Sequence, residues 1–312
     1  MSLTHYPNGL TSFGIPVLPP VGPGVTTGSA FFVHSGTGSN GYKGTDPPKP
    51  FATIDYAIGQ CTASKGDVVY VMPGHTENLA AADAIDIDVA GVSVIGLGWG
   101  SLRPILTFTN AAGEVVIGAS NVRISNIVFN ASVTAVLKAI DIEASKTDAI
   151  IDHCYFTVVL AGTDEFNNSI IIGDQANRSL IYNNEFHMGT AGAVSAIYSD
   201  ADNDYCKIAK NLITGDYSTA CIVGDEADDM IVISDNRLYN GQATGVGLNS
   251  EPCIELAATT TGIIEHNRCF CNLATKAASI VADDCHLHEN YYNEDESSAA
   301  TSGIIGTASA DD

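Results

Sequence analysis

The chain has 312 residues, 45% of them hydrophobic and only 16% charged, with 30 glycines and a formal net charge of −23. Thirteen Lys and Arg against 36 Asp and Glu leave no basic patch for a phosphate backbone and disfavour an anionic membrane surface. No apolar run is long enough to span a bilayer, and the acidity favours solubility and keeps like particles apart.

Residues 1–30 do not read as core. Pro and Gly are dense, and Tyr6, Phe13, Ile15, Val17 and Leu18 are scattered between them. A disordered tail is usually more polar, so this segment is expected to be an extended arm that docks on a partner. Residues 31–62 form the entry: a strand at Phe31–His34, a loop from Gly36 to Pro50, and a helix over Phe51–Cys61. Ile54, Ala57, Ile58 and Cys61 would share one face of that helix, and Pro50 suits its start. Gly66–Glu77 then reads as turn, buried strand and turn. Trp99 lies in Gly96-Leu97-Gly98-Trp99-Gly100, either a packed turn residue or a contact point.

From there to about residue 306 one unit recurs. Ile181-Tyr182-Asn183-Asn184-Glu185-Phe186 aligns with Ile124–Phe129, Ile151–Phe156, Ile208–Ile213, Ile233–Leu238, Ile264–Asn267 and Leu287–Asn290. The fourth position reads Ile127, Cys154, Asn184, Asn211, Asn236, Asn267, Asn290, in steps of 27, 30, 27, 25, 31 and 23 residues. A period of that size marks a solenoid. A second short strand precedes each copy from Ile151 on, for example Ile170–Gly173, Ala196–Ser199 and Cys221–Gly224. The strands are β-branched and bounded by Gly, Asp and Asn, and apolar spacing of three and four is absent. One unit cannot bury its own apolar face, whereas stacked units share a core. The expected fold is all-β, a single-stranded parallel β-helix with rungs about 4.8 Å apart. Residues 63–306 would form the coil and 307–312 a polar tail. Asn184, Asn211, Asn236, Asn267 and Asn290 are expected to form an inward ladder.

Chemistry has few candidates. Glu143, Asp174, Asp200 and Asp225, with Glu226 beside the last, follow successive strands and would line one corner of the coil. Carboxylates one rung apart approach the retaining-glycosidase separation, and two rungs apart the inverting one; Ca²⁺ is the alternative occupant. Asp after Gly or Ser is also simply a good turn residue, which is the expected reading, with no catalytic residue and no resident cofactor. His286 and His288, flanked by Asp283, Asp284 and Glu289, would point to one side of a strand and are expected to be solvated. His153 and His266 share the repeat position just before the Asn column. The eight cysteines form no C-x-x-C pair, so zinc is not indicated, and Cys154, Cys221 and Cys253 are expected to pack as small hydrophobes. A basic start followed by an apolar run is absent, so synthesis in a cytoplasm with reduced thiols is expected.

The series Gly44-Thr45-Asp46, Pro50–Ile54, Ala57-Ile58, Gly66–Val71, Pro73-Gly74 and Thr76-Glu77 resembles the entry of right-handed parallel β-helix proteins of the pectate-lyase-like superfamily. That resemblance implies that the helix caps the N-terminal end of the coil, covering strand edges and core. Tyr6-Pro7-Asn8-Gly9 and Ser12-Phe13-Gly14 are similar to the starts of tailed-phage virion β-helix proteins. Together these resemblances imply a virion protein, assembled in the host cytoplasm, homotrimeric, and bound through its arm to the major capsid protein or another virion protein. Capsid decoration, or cement, is the expected role. The alternative is a tailspike-type protein that binds or depolymerises polysaccharide. Lyase action on a uronate polymer is disfavoured, because five Arg and eight Lys form no cluster in the sequence and the net charge would repel the substrate.

Overall fold

The computed structural model describes residues 11–12, 15–16, 26, 28–160, 163–189, 192–241, 251–271, 276–293 and 303–305. Tyr6, Phe13, Val17 and Leu18 of the expected arm lie outside these residues. Ile15 is described only as backbone, in a two-residue strand, Ile15–Pro16, paired antiparallel with Thr11–Ser12.

The described chain winds through three sheets, two of ten strands and one of eight, parallel except for the last strand of the second. One rung illustrates the path. Ile150–Asp152 lies in the first sheet, Tyr155–Val158 in the second and Phe166–Ile172 in the third, before the chain returns to the first at Leu180–Tyr182. Pairing is in register throughout. Ile124, Ile151, Ile181, Ile208, Ile233, Ile264 and Leu287 stack as one inward column of the first sheet, and all are buried. In the second sheet Phe129, Phe156 and Phe186 stack with ring centroids 4.8 and 4.5 Å apart. Burying each such side chain contributes about 1.5–3 kcal/mol. This is a β-solenoid with its core along the axis, and almost no helix.

The bend between first and second sheets is tight, and its pivot residue is left-handed in rung after rung: Asn126, His153, Asn183, Lys210, Asp235, His266 and Glu289 have φ between 48° and 59°. Asn, Asp and His tolerate that region best among residues with a side chain. The next residue points inward. Asn184, Asn211, Asn236, Asn267 and Asn290 are buried there. The Oδ1 of Asn211 accepts from the Asn184 N–H (2.9 Å), that of Asn236 from the Asn211 N–H (2.9 Å), and so on through Asn267 and Asn290. Each Nδ2 donates to a carbonyl of the preceding rung, as Asn236 does to Ile208 (3.0 Å). Each amide of the column thus has a partner for its oxygen and for its nitrogen, as buried polar groups require.

Two entry features differ from the sequence reading. The helix is Ile54–Ile58 rather than Phe51–Cys61, because Phe51 forms a bridge to Val33 and its N–H and C=O bond Phe32 and His34. Ile54, Ala57 and Ile58 are buried, and Glu77 Oε2 accepts the Ile54 N–H at 3.2 Å, doing what no side chain of the helix does. At the other end, Gly303–Ile305 runs antiparallel along Asn290–Asn293, so the last edge of the second sheet is paired by the chain itself. All eight cysteines are free thiols and seven are buried. Cys154, Cys221 and Cys253 are buried as expected, the first in the bend after its strand and the other two one residue before theirs.

Candidate functional site

The expected line of carboxylates is not a line. Register pairs Ile142 with Ile172, Ile172 with Ser199 and Ser199 with Gly224, so the residues that follow are Glu143, Gly173, Asp200 and Asp225. Asp174 is one residue further into its turn. The inward column fixes this register, and a glycine occupies the place where an acid was expected. Asp200, Asp225 and Glu226 are exposed, and Asp174 is half-buried. Asp225 accepts a hydrogen bond from the Tyr198 hydroxyl at 2.9 Å. Burial, that bond, and the charges of Asp225, Asp200 and Glu226 push the Tyr198 phenol up to about 12. His286 and His288 both face outward. Among the described residues no group of three or more His, Cys, Asp or Glu is placed to hold a metal ion.

A different cluster is assembled at the first bend. Asp152 stands on the outer side of the first sheet yet is fully buried. The Arg123 guanidinium donates to both its oxygens, at 2.7 and 2.8 Å, and Ser125 Oγ donates to Oδ2 at 3.0 Å. His153 Nδ1 lies 2.6 Å from the same Oδ2, which directs its Nε2 away from the carboxylate. Burial pushes the Asp152 carboxyl up, but the bonds from Arg123, His153 and Ser125 outweigh it and hold the group below its ordinary value. The Arg123 guanidinium is correspondingly raised by its bond to Asp152. Tyr182 stands edge-on to the His153 ring at 5.8 Å.

A second arginine converges on the same bend. Arg103 Nη2 donates to the His153 carbonyl, while its Nε is buried without a partner among the described residues, and burial lowers its affinity for a proton. Arg103 ends the loop that carries Trp99, which is 82% exposed; Asn126 Nδ2 pins that loop through the carbonyls of Gly96 and Gly98, at 2.8 and 3.1 Å. Trp99 is therefore exposed and not a packed turn residue. On the other side of Tyr182, a groove of about 330 Å³ runs over Leu180, Lys207, Ala209, Lys210, Ser234 and Asp235. That volume is within the range of small-molecule sites.

Basic residues thus gather in space, although the sequence spreads them thinly. Arg103, Arg123, Lys207 and Lys210 lie along this side of a strongly acidic protein. The alignment of repeats holds the signal that finds Asp152: Arg123 precedes Ile124 and Asp152 follows Ile151, which places them diagonally on the outer face of adjacent rungs. A buried carboxylate that orients an imidazole, beside fixed positive charge, can accept a proton and hold an anionic or hydroxylated ligand.

Among solved structures, one described as rhamnogalacturonan lyase superposes with a TM-score of 0.53 at 13% sequence identity, covering 85% of this chain and 74% of that one. A second, ORF18 of Geobacillus virus E2, gives a TM-score of 0.43 at 14% identity, covering 81% of this chain and 59% of that one; a superposition so loose carries no argument. No protein-family model matches the chain, and comparison with curated protein sequences gives no match. The first likeness shows the fold, a parallel β-helix. It does not extend to activity. No helix among the described residues is long and apolar enough to cross a membrane.

Proposed function

We propose that the chain is a structural protein of a tailed-phage particle: a stiff β-helical rod, trimeric, fastened to the head by its leading residues as a decoration protein. The observation that carries this reading is where the leading segment meets the coil. Ala30–Val33 is the first strand of the first sheet; it pairs with Val68–Val71 on one side, and on the other it is met only by the entry loop, through the Val33–Phe51 bridge and the bonds of Phe32 and His34 to Gly44 and Phe51. Asp67 clamps the junction, accepting the N–H groups of Ser29 and Thr62 at 2.6 Å each, and Thr26 donates to the Gly66 carbonyl. The described chain thus enters the coil at one pole, which suits a leading arm that docks elsewhere. In this reading the Ile54–Ile58 helix, with Ile54, Ala57 and Ile58 buried, serves as the cap of that pole. The phage assignment is supported by the likeness of Tyr6–Gly9 and Ser12–Gly14 to virion β-helix starts. The test is to mix purified protein with undecorated heads. The intact chain is expected to co-sediment and to raise the temperature at which the heads break, whereas a chain lacking residues 1–25 does neither. An intact chain that leaves head stability unchanged overturns the proposal.

A second reading has one observation in its favour, the Asp152–His153 pair with Arg123 next to the groove at Tyr182. It makes the outer face of the first sheet a glycan-binding or glycan-cleaving surface, as in a tailspike. Loss of glycan binding or cleavage in His153→Ala, with head binding absent in the intact chain, selects this reading over the first.

A further inference from the structure

We propose that Asp228 is an acid-set lock inside the coil: in mildly acidic surroundings its buried carboxylate takes up a proton, and the rungs around it are stabilised. The inference is independent of the particle assignment and rests on the turn between the third and first sheets. There a second inward column runs through Ala176, Asn203, Asp228 and Thr260. Asn203 Oδ1 accepts the Ala176 N–H at 2.8 Å, Asp228 Oδ1 accepts the Asn203 N–H at 2.8 Å, and the Asp228 N–H reaches Thr260 Oγ1 at 3.3 Å. The position asks for an oxygen acceptor, and the neutral amide of Asn203 fills it one rung earlier. At 228 the acceptor is an ionisable group instead.

The environment of that group opposes its charge. Asp228 is 1% exposed. Its Oδ2 meets only the Ser199 hydroxyl, at 2.8 Å. A void of about 10 Å³ beside it is walled by Ile172, Ile222, Ile231, Ile233 and Leu256 among others, room for one water at most. Among the described residues no Lys, Arg or His pairs with it. The titratable groups that face it are Asp202 and Asp204, which add like charge, and the thiols of Cys206 and Cys285, which burial, with a lesser share from the Asp228 charge, pushes up to about 11. Two hydrogen bonds do not offset that burial, and the carboxyl is pushed up to about 6. A proton on Oδ2 keeps the contact with Ser199, because the hydroxyl can accept as well as donate. Asn203 Nδ2 already donates to that hydroxyl at 3.0 Å, so the serine links the two members of the column in either state.

The sign follows from linkage. The folded protein binds this proton more tightly than the unfolded chain, whose value is the ordinary 3.8. Stability from this group is therefore present in full below about pH 4 and is lost as pH rises through about 6. A shift of two units corresponds to about a hundredfold in the folding equilibrium constant.

The experiment is urea unfolding of the intact chain from pH 4 to 8, for the native protein and Asp228→Asn. Asn keeps the acceptor and the shape but cannot titrate. The ratio of the two folding constants is expected to change by about a hundredfold across this range, with the variant relatively more stable at pH 8. A ratio that stays constant overturns the proposal. If Asp228→Asn does not fold, carboxyl-carbon NMR of the native protein decides. A buried carboxyl titrating near 6 and absent from Asp228→Glu supports the lock. Titration of every carboxyl near its ordinary value refutes it.

Discussion

Two inward columns do the same work at two corners of this coil, and they are built differently. At the bend from first to second sheet, five consecutive amides each accept one backbone N–H and donate to a carbonyl of the preceding rung. At the turn from third to first sheet, the same acceptor role passes from Asn203 to Asp228 to Thr260. An amide carries both a donor and an acceptor on a planar fork, so an Asn column repeats without limit and stays neutral. The mixed column has no such closure. Each member satisfies the rung before it, and its remaining atoms find partners case by case: Asn203 through Ser199 and Ile172, Thr260 through the Glu226 carbonyl. The first column supplies uniform stiffness. The second leaves room for a titrating group in the core.

The largest test of this contrast breaks the uniform column at its middle. Asn236→Leu removes the acceptor of the Asn211 N–H and side-chain amide and the donor to the Ile208 carbonyl. Each buried polar group so abandoned costs about 1–3 kcal/mol, so a loss of roughly 4 kcal/mol is expected in urea unfolding. A loss under about 1 kcal/mol would mean that the amides are interchangeable turn residues, not a cooperative column.

The intermediate test addresses the mixed column. Thr260→Val keeps the volume and removes one hydroxyl, the acceptor of the Asp228 N–H and a donor to the Glu226 carbonyl. Both bonds are long, 3.3 and 3.2 Å, so a smaller loss of about 1–2 kcal/mol is expected. If this loss equals that of Asn236→Leu, the two corners are energetically alike and the distinction fails.

The sequence exposed these two corners unequally, for a physical reason. The Asn column was readable because a left-handed pivot and an inward amide must follow the same strand in each rung, so the residues stay aligned. The mixed column changes residue type at every step and lies in turns of variable length, so no periodic signal marks it. The outer acids were misread for a related reason. Turn composition suggested Asp174 in line with Glu143, but register belongs to the inward residues Ile142, Ile172, Ser199 and Gly224, and these put Gly173 there. Asp152 escaped notice because its burial depends on Arg123, 29 residues earlier. The helix was overdrawn because Phe51 suits a helix locally but is held by Val33 across the loop.

The smallest test probes the pivots themselves. If the amide column, and not the intrinsic preference of the pivot residue, holds the first bend, then easing the pivot gains little. Lys210 has φ 57° and an exposed side chain, and its N–H donates to the Ser234 carbonyl at 3.0 Å, a bond that any residue retains. A left-handed residue with a side chain costs about 1 kcal/mol, and glycine removes that strain while widening the freedom of the unfolded chain. The two effects nearly cancel, so Lys210→Gly is expected to change stability by no more than about 0.5 kcal/mol in either direction. Asn211, one residue on, keeps all its bonds in that variant. A gain well above 1 kcal/mol would show that strain at the pivots is large and that the amide column exists to hold a bend the backbone resists.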